Sequence, residues 1–457
     1  MKHFGFRTFL FVCCVVVLLS ILQYLPSLSI DGSPLREVSL LSDVLEEETD
    51  SVAIDSAQLT PVPDVATVDT CRTGLTCIQD FGDSTKRGMR GFYQKLSQID
   101  KLGRPVRIAY FGDSYIEADI LTSDLRAMLQ EKFGGCGVGY LHIVGLGKGY
   151  RPTVEESSKG WEAHTVTDKK GFDKERQGMA NRYYLPTKGA FVQANGVTRY
   201  APNLDKWERS FIYLHAAKPI ELTCVRNGEE TENYKVQPDN GVQCLEADGT
   251  TSDIKWTVTS TVDPATTFYG IALEGSKGVC VDNFSLRSAS GTSLQTIPEA
   301  TLRAFSQVRP YDLIVLQYGL NVAGPQSVKF ENYEKSMVSI INTLKDCFPD
   351  AGFLLVGVSD RAHKTKTGNF ETMPGILNLI PCQQNIAAKT GIAYWNLFEA
   401  MGGEGSIQRM VKANPSLANR DYTHINFKGG KHLATLLYET LVYGKEQYDS
   451  HNGNGQK

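Results

Sequence analysis

No stretch of this chain gathers lysine and arginine into a block, and 47 basic residues against 51 acidic ones leave a formal net charge of -4. A nucleic-acid partner would need a basic patch to meet the phosphates, so nucleic acid is excluded as a partner. No two cysteines have the two-residue separation of a zinc knuckle, which leaves a metal centre without its usual ligands. No long apolar segment that could act as a lid stands out, and this disfavours a lipase. Between about residues 148 and 277 there is no convincing helical period, only short β-rich runs such as Ser210-Phe211-Ile212-Tyr213-Leu214 separated by Asn227-Gly228 and Asp239-Asn240-Gly241 turn signals. That stretch reads as an antiparallel, sandwich-like β domain.

The N-terminus carries Lys2, His3 and Arg7 ahead of an apolar run over residues 9–22, the pattern of a signal peptide or a signal anchor. Both send the chain out of the cytoplasm, to a periplasmic or cell-envelope location, and the second would make the run an N-terminal membrane anchor. Cys13 and Cys14 lie inside that run and serve as apolar filler. Eight further cysteines in an exported chain permit disulfides, with Cys71 and Cys77, and Cys224 and Cys244, as the first pairs to consider. Acidic residues, Ser, Thr, Val and Pro without a sustained period then describe a flexible linker.

From Met89 onward the rhythm is α/β. Met89, Phe92, Tyr93 and Leu96 recur at helical spacing before an apolar run at residues 106–111, and a second helix is expected over 118–133, ending at Gly134-Gly135. Strand patterns return at 279–286, 312–317, 353–358 and 392–395, with a helix over 331–348 and a closing one over about 431–443. The domain plan is therefore a leader at 1–29, a linker at 30–85, one parallel α/β domain at 86–147 and 279–446 interrupted by a β insertion at 148–278, and a disordered tail at 447–457.

In an open parallel sheet the binding crevice lies beyond the carboxyl ends of the strands. Ser114 follows the first strand, Ser288-Ala289-Ser290-Gly291 the second, Tyr318-Gly319-Leu320-Asn321 the third and Ser359-Asp360-Arg361 the fourth, while Asp421 and His424 stand in a loop before the last helix. A serine hydroxyl needs a base, and an imidazole with a pKa of roughly 6.5 suits that task. Asp421, three residues before His424, can orient the ring and stabilise the imidazolium. The Ser114 amide, the Gly291 amide and the Asn321 carboxamide are candidate oxyanion donors, each worth ~3 kcal/mol. This chemistry asks for no cofactor.

Blander roles compete. Ser114-Tyr115-Ile116-Glu117 also fits a helix capping box, and Asn321 alone would be a turn former. His142, His164, His215, His363 and His432 lack an aspartate at short spacing and read as structural or solvent-facing. Asn283-Phe284-Ser285 matches a glycosylation acceptor pattern but lies in an expected buried strand.

Gly112-Asp113-Ser114, Gly291, Gly319-x-Asn321 and Asp421-x-x-His424 occur in the order of the four blocks of the SGNH (GDSL-like) esterases and acylhydrolases, and the chain resembles that family over about 87–146 and 279–443. The resemblance implies a flavodoxin-like, three-layer fold, Ser114 as nucleophile, His424 as base, Asp421 as its partner, and Gly291 with Asn321 in the oxyanion hole. A β insertion between the first two blocks resembles that of bacterial peptidoglycan O-acetylesterases and implies an acetylated glycan substrate. Tyr115 stands where the family has Leu, and Val322 where Asp is frequent. An O-acetyltransferase would use the same acyl-enzyme, and a non-catalytic glycan-binding protein could instead present Trp161, Trp207, Trp256 and Tyr269 to sugar rings, although aromatics in a β sandwich are more often core.

Overall fold

The computed structural model describes residues 71–453 except 86, 146–149 and 169, together with two short strands, Ser29–Ile30 and Ser33–Pro34, that pair with each other in a separate unit. The apolar run at 9–22 and most of the acidic linker lie outside the described residues. No helix among the described residues is long and apolar enough to cross a membrane.

In chain order the larger unit begins with β1 (Gln79–Asp80), α1 (Met89–Ser97), β2 (Val106–Gly112) and α2 (Thr122–Phe133). Every residue of β2 is buried, as a strand covered on both faces must be. Met89, Phe92, Tyr93 and Leu96 form the buried stripe of α1. The second helix starts later than its apolar pattern suggests, because Ala118 and Asp119 adopt positive φ of 56° and 62°. Asp119 holds that irregular backbone: its carboxylate accepts from Thr122, Arg126 and Asn283. Asn283 is fully buried and bonded there, so its glycosylation-like pattern is coincidental.

The insertion follows as β3 (Gly139–Leu141), β4 (Val154–Thr165), β5 (Arg182–Gly196), β6 (Trp207–His215), β7 (Ile220–Arg226), β8 (Glu230–Val236), β9 (Gln243–Thr251), β10 (Asp253–Val258) and β11 (Thr267–Glu274). All nine strands belong to one hydrogen-bonded antiparallel network of order β8-β7-β10-β5-β11-β6-β9, with β4 also on β5 and β3 also on β11. The long strand β5 pairs with β10 through its second half and touches β11 near its start, so one sheet wraps its own core instead of dividing into two. Trp207 and Trp256 are fully buried in that core, which removes these two rings from a sugar-binding surface, and Tyr269 packs against Phe305 at the edge of a second cleft. Trp161, partly buried, packs edge-on against Phe268.

The chain then re-enters the first sheet with β12 (Val279–Ser285), α3 (Glu299–Val308), β13 (Leu313–Gln317), α4 (Glu331–Cys347), β14 (Gly352–Val356), the small hairpin β15 (Ala362–Lys364) and β16 (Phe370–Thr372), α5 (Pro374–Thr390), β17 (Ala393–Trp395), α6 (Leu397–Ala400), α7 (Ser406–Lys412) and α8 (Phe427–Gly453). The sheet order is β12-β2-β13-β14-β17-β1, parallel except for β1. Numbering only the five parallel strands gives 2-1-3-4-5, the flavodoxin-like order. Helices α1 and α2 pack on α8, and α3, α4 and α5 pack in succession, giving helical layers on the two faces of the sheet.

Three expectations are corrected. Order begins before residue 86: Cys71 and Cys77 form a disulfide, Trp395 donates to the Thr76 carbonyl, and β1 adds an antiparallel rim to β17. The stretch 447–453 is not a tail but the end of α8, held by a Ser97 to Asp449 hydrogen bond and by Tyr448 packing on Tyr93. Cys224 and Cys244 are free thiols: Cys224 is buried in the core of the insertion, whereas Cys244 packs against the separate core that includes the parallel sheet.

Insertion and parallel sheet are joined by buried charge. Glu274 of β11 accepts from Arg107 of β2 and from Arg309, which also donates to Asp282 of β12; all four side chains are buried. Burial opposes ionisation of Glu274, but the two guanidiniums outweigh it and hold this carboxyl well below its usual range.

Candidate active site

Ser114 leaves the end of β2 on a tight turn. The Asp113 side chain accepts from the Tyr115 amide at 3.0 Å, and the Asp113 carbonyl accepts from the Ile116 amide. The hydroxyl of Ser114 therefore does not cap a helix. Its one hydrogen-bond partner among the described residues is His424, with Nε2 3.1 Å from Oγ. Glu117, the other half of the supposed capping box, pairs instead with Arg287.

Asp421 meets Nδ1 of His424 at 2.8 Å through Oδ2, while its Oδ1 accepts the backbone amides of Thr423 and His424, both at 3.0 Å. Partial burial works against the charge on Asp421, but these donors prevail and hold its carboxyl below the ordinary value. The ring is thereby oriented with Nδ1 towards a carboxylate and Nε2 towards the serine. Glycines bring the two loops together: a Cβ on Gly430 in the first turn of α8 would lie 1.7 Å from the Ile120 carbonyl oxygen. Only a hydrogen fits there.

Asn321 stands on the same cleft, and its amide nitrogen donates to Asp113 Oδ2 at 3.1 Å and to the Ala289 carbonyl at 3.0 Å. Those bonds fix the carboxamide, and an oxyanion would share its protons. Asp113 is almost wholly buried; loss of hydration pushes its carboxyl up to about 6 despite the Tyr115 amide, His424 and Asn321, which favour its charge.

The cleft above Ser114 has a volume of about 630 Å³. Gly291 is not on its lining. It sits behind, where a Cβ would lie 2.8 Å from the Tyr318 ring, and the loop reaches the cleft through Ser288, whose φ is 61°. Ser288 carries a positive φ at a non-glycine position, a signal that apolar periodicity does not contain. Tyr150, Arg287, Asn419 and Phe427 also line the cleft and carry no sequence motif. Of the loop after the fourth strand, Asp360 is fully buried and bonded to Ser406 and Thr372, and Arg361 donates to the Leu320 carbonyl; both support the site from behind. No group of three or more potential metal ligands occurs among the described residues.

No protein-family model matches the chain, and no curated protein matches it. Solved structures do. A peptidoglycan O-acetylesterase superposes with a TM-score of 0.66 at 20% identity, covering 81% of this chain and 99% of that one. A Bacillus subtilis protein matches at a TM-score of 0.31 and 12% identity, over 63% and 90% of the two chains, and a lipase/acylhydrolase from Enterococcus faecalis at 0.25 and 15%, over 37% and 77%. In fold, inserted β module included, the chain resembles an SGNH hydrolase of the peptidoglycan O-acetylesterase kind.

Proposed function

We propose that the chain is a serine esterase that removes O-acetyl groups from a cell-envelope or extracellular glycan. The observation that carries this reading is the continuous line Asp421, His424, Ser114 with separations of 2.8 and 3.1 Å at the mouth of a cleft. His424 takes the Ser114 proton on Nε2 as Oγ attacks the acetyl carbonyl carbon. The carbonyl oxygen becomes an oxyanion that the Ser114 amide and the Asn321 carboxamide face. As the carbon–oxygen bond to the sugar breaks, the Nε2 proton goes to the departing sugar oxygen. Water, deprotonated by the same nitrogen, then attacks the acetyl-serine; its carbonyl–Oγ bond breaks, the proton returns to Oγ, and acetate leaves.

The fold likeness to a peptidoglycan O-acetylesterase supports a glycan as the carrier of the ester. An oxidising compartment outside the cytoplasm suits the Cys71–Cys77 disulfide. Purified protein should release acetate from an O-acetylated glycan and from a simple acetyl ester, and Ser114→Ala should lower both by at least about 10³-fold with unchanged thermal unfolding. Undiminished turnover in that variant would sink the reading.

A further inference from the structure

Trp207 and Trp256 are enclosed by the β module, and the exposed rings of the described residues lie elsewhere. Among the described residues five large apolar side chains stand in solvent: Tyr150, Val328, Phe370, Leu377 and Phe427. Three are aromatic. Tyr150 (47% exposed) and Phe427 (41%) both line the cleft that holds Ser114, and Phe370 stacks on Tyr422, the neighbour of Asp421, with ring centroids 3.9 Å apart. The exposed aromatic surface is thus gathered at the catalytic mouth, where hydration of a bare ring is a cost that only a ligand removes.

Polar groups on the same lining set the character of the ligand. Arg287 grips Glu117 with two nitrogens, at 2.9 and 2.6 Å, and donates to the Tyr150 hydroxyl at 3.1 Å. This fork neutralises both charges and steadies the Tyr150 ring by its tip. The Asn419 carboxamide and the Ser288 hydroxyl line the cleft and make no side-chain hydrogen bond to other described residues. Bare ring faces, a self-neutralised ion pair and spare amide and hydroxyl groups match a pyranose, which has an apolar C–H face and a rim of hydroxyls.

We infer that Tyr150 and Phe427 form the subsite for the sugar ring that carries the ester, stacking on its C–H face and setting specificity for a glycan over a small acetate ester. The inference rests on the esterase reading and names how its substrate is held. Phe427 opens α8 three residues beyond His424, and Tyr150 lies just ahead of β4, so the hydrolase domain and the insertion each supply one ring.

The test compares an O-acetylated, uncharged N-acetylglucosamine oligosaccharide with ethyl acetate, which has no ring to stack. Phe427→Ala and Tyr150→Ala should each raise KM for the oligosaccharide about tenfold, the size of one aromatic contact, with kcat within about threefold, and the loss in kcat/KM should exceed that on ethyl acetate by at least fivefold. Tyr150→Phe, which keeps the ring, should restore most of it. Equal losses on both substrates, or none on the oligosaccharide, would overturn the subsite. Calorimetric titration of the oligosaccharide into Ser114→Ala, with and without Phe427→Ala, separates the two readings. Binding weakened about tenfold by Phe427→Ala in a protein whose parent hydrolyses neither ester would keep the subsite and reject the esterase; binding unaffected by the change would reject the subsite whatever the hydrolysis.

Discussion

The Tyr115 hydroxyl donates a hydrogen bond to the backbone carbonyl of Thr423 at 3.0 Å, tying the residue after Ser114 to the residue before His424. Tyr115 is 1% exposed, so the bond is made away from water. It is a direct strut between two loops 308 residues apart in the chain.

Tyr115→Phe removes that strut and leaves the ring in place. The Thr423 carbonyl loses its partner, at a cost of about 1 kcal/mol in stability, and the Ser114 to His424 distance is no longer enforced. A fall in kcat of about tenfold with KM nearly unchanged is expected in steady-state kinetics; a change confined to KM would show that the strut does not position the base.

Asn321 and Gly291 should behave differently, although both belong to the same set of expected oxyanion donors. Asn321→Ala removes a group on the cleft and should lower kcat about 10²-fold with a small effect on melting temperature. Gly291→Ala adds a Cβ at φ 92° and 2.8 Å from the Tyr318 ring, so its effect should appear first as a lowered melting temperature. The reverse pattern would put Gly291, not Asn321, in the oxyanion hole.

Asp113 gives a pH signature. Its carboxyl is raised to about 6 when folded, from 3.8, so below the lower value it is neutral folded and unfolded and adds nothing. Above pH 6 the folded state carries a buried charge that the unfolded chain hydrates, and stability is lower by about 3 kcal/mol. Asp113→Asn does not titrate. The stability of the variant relative to the parent, from denaturant unfolding, should therefore rise by about that amount between about pH 3 and pH 8, and a constant difference would refute the raised value.

Glu274→Gln tests the join between insertion and sheet. Arg107 would be left in the interior without the carboxylate it pairs with and Arg309 with Asp282 alone, and loss of one member of a buried ion cluster costs about 3–5 kcal/mol. Denaturant unfolding should show that loss as one shifted transition. Loss below about 1 kcal/mol would mean that the cluster is not essential to the join.

Much of the parallel sheet was legible because its strands are buried on both faces and so read as unbroken apolar runs, from residues 106–111 to 392–395. The residues at their carboxyl ends then marked the cleft, and Ser114, Asp421 and His424 come together there. What was not legible depends on partners far away in the chain. The late start of α2 needs Asp119 to meet Asn283, and β1 has two residues and no period, being fixed by its bonds to β17. Tyr150 and Phe427 belong to no motif, since nothing local in a sequence tells an exposed ring from a buried one. Trp207 and Trp256 show the converse: both could have met sugar, yet both rings fill the core of the insertion, the more usual place for an aromatic in a β sandwich.

Two residues, Gln79 and Asp80, lie against the last parallel strand in the opposite sense. Without them Ala393–Trp395 would present open backbone amides and carbonyls along the sheet's outer side, the template on which another molecule's strand can add. A recombinant boundary drawn just ahead of α1, where the helical period begins, would strip this guard along with the Thr76 carbonyl that the Trp395 indole uses. The loops carrying Ser114 and His424 would be intact in such a fragment, but it would self-associate as its concentration rises, so the useful place to trim lies before Cys71.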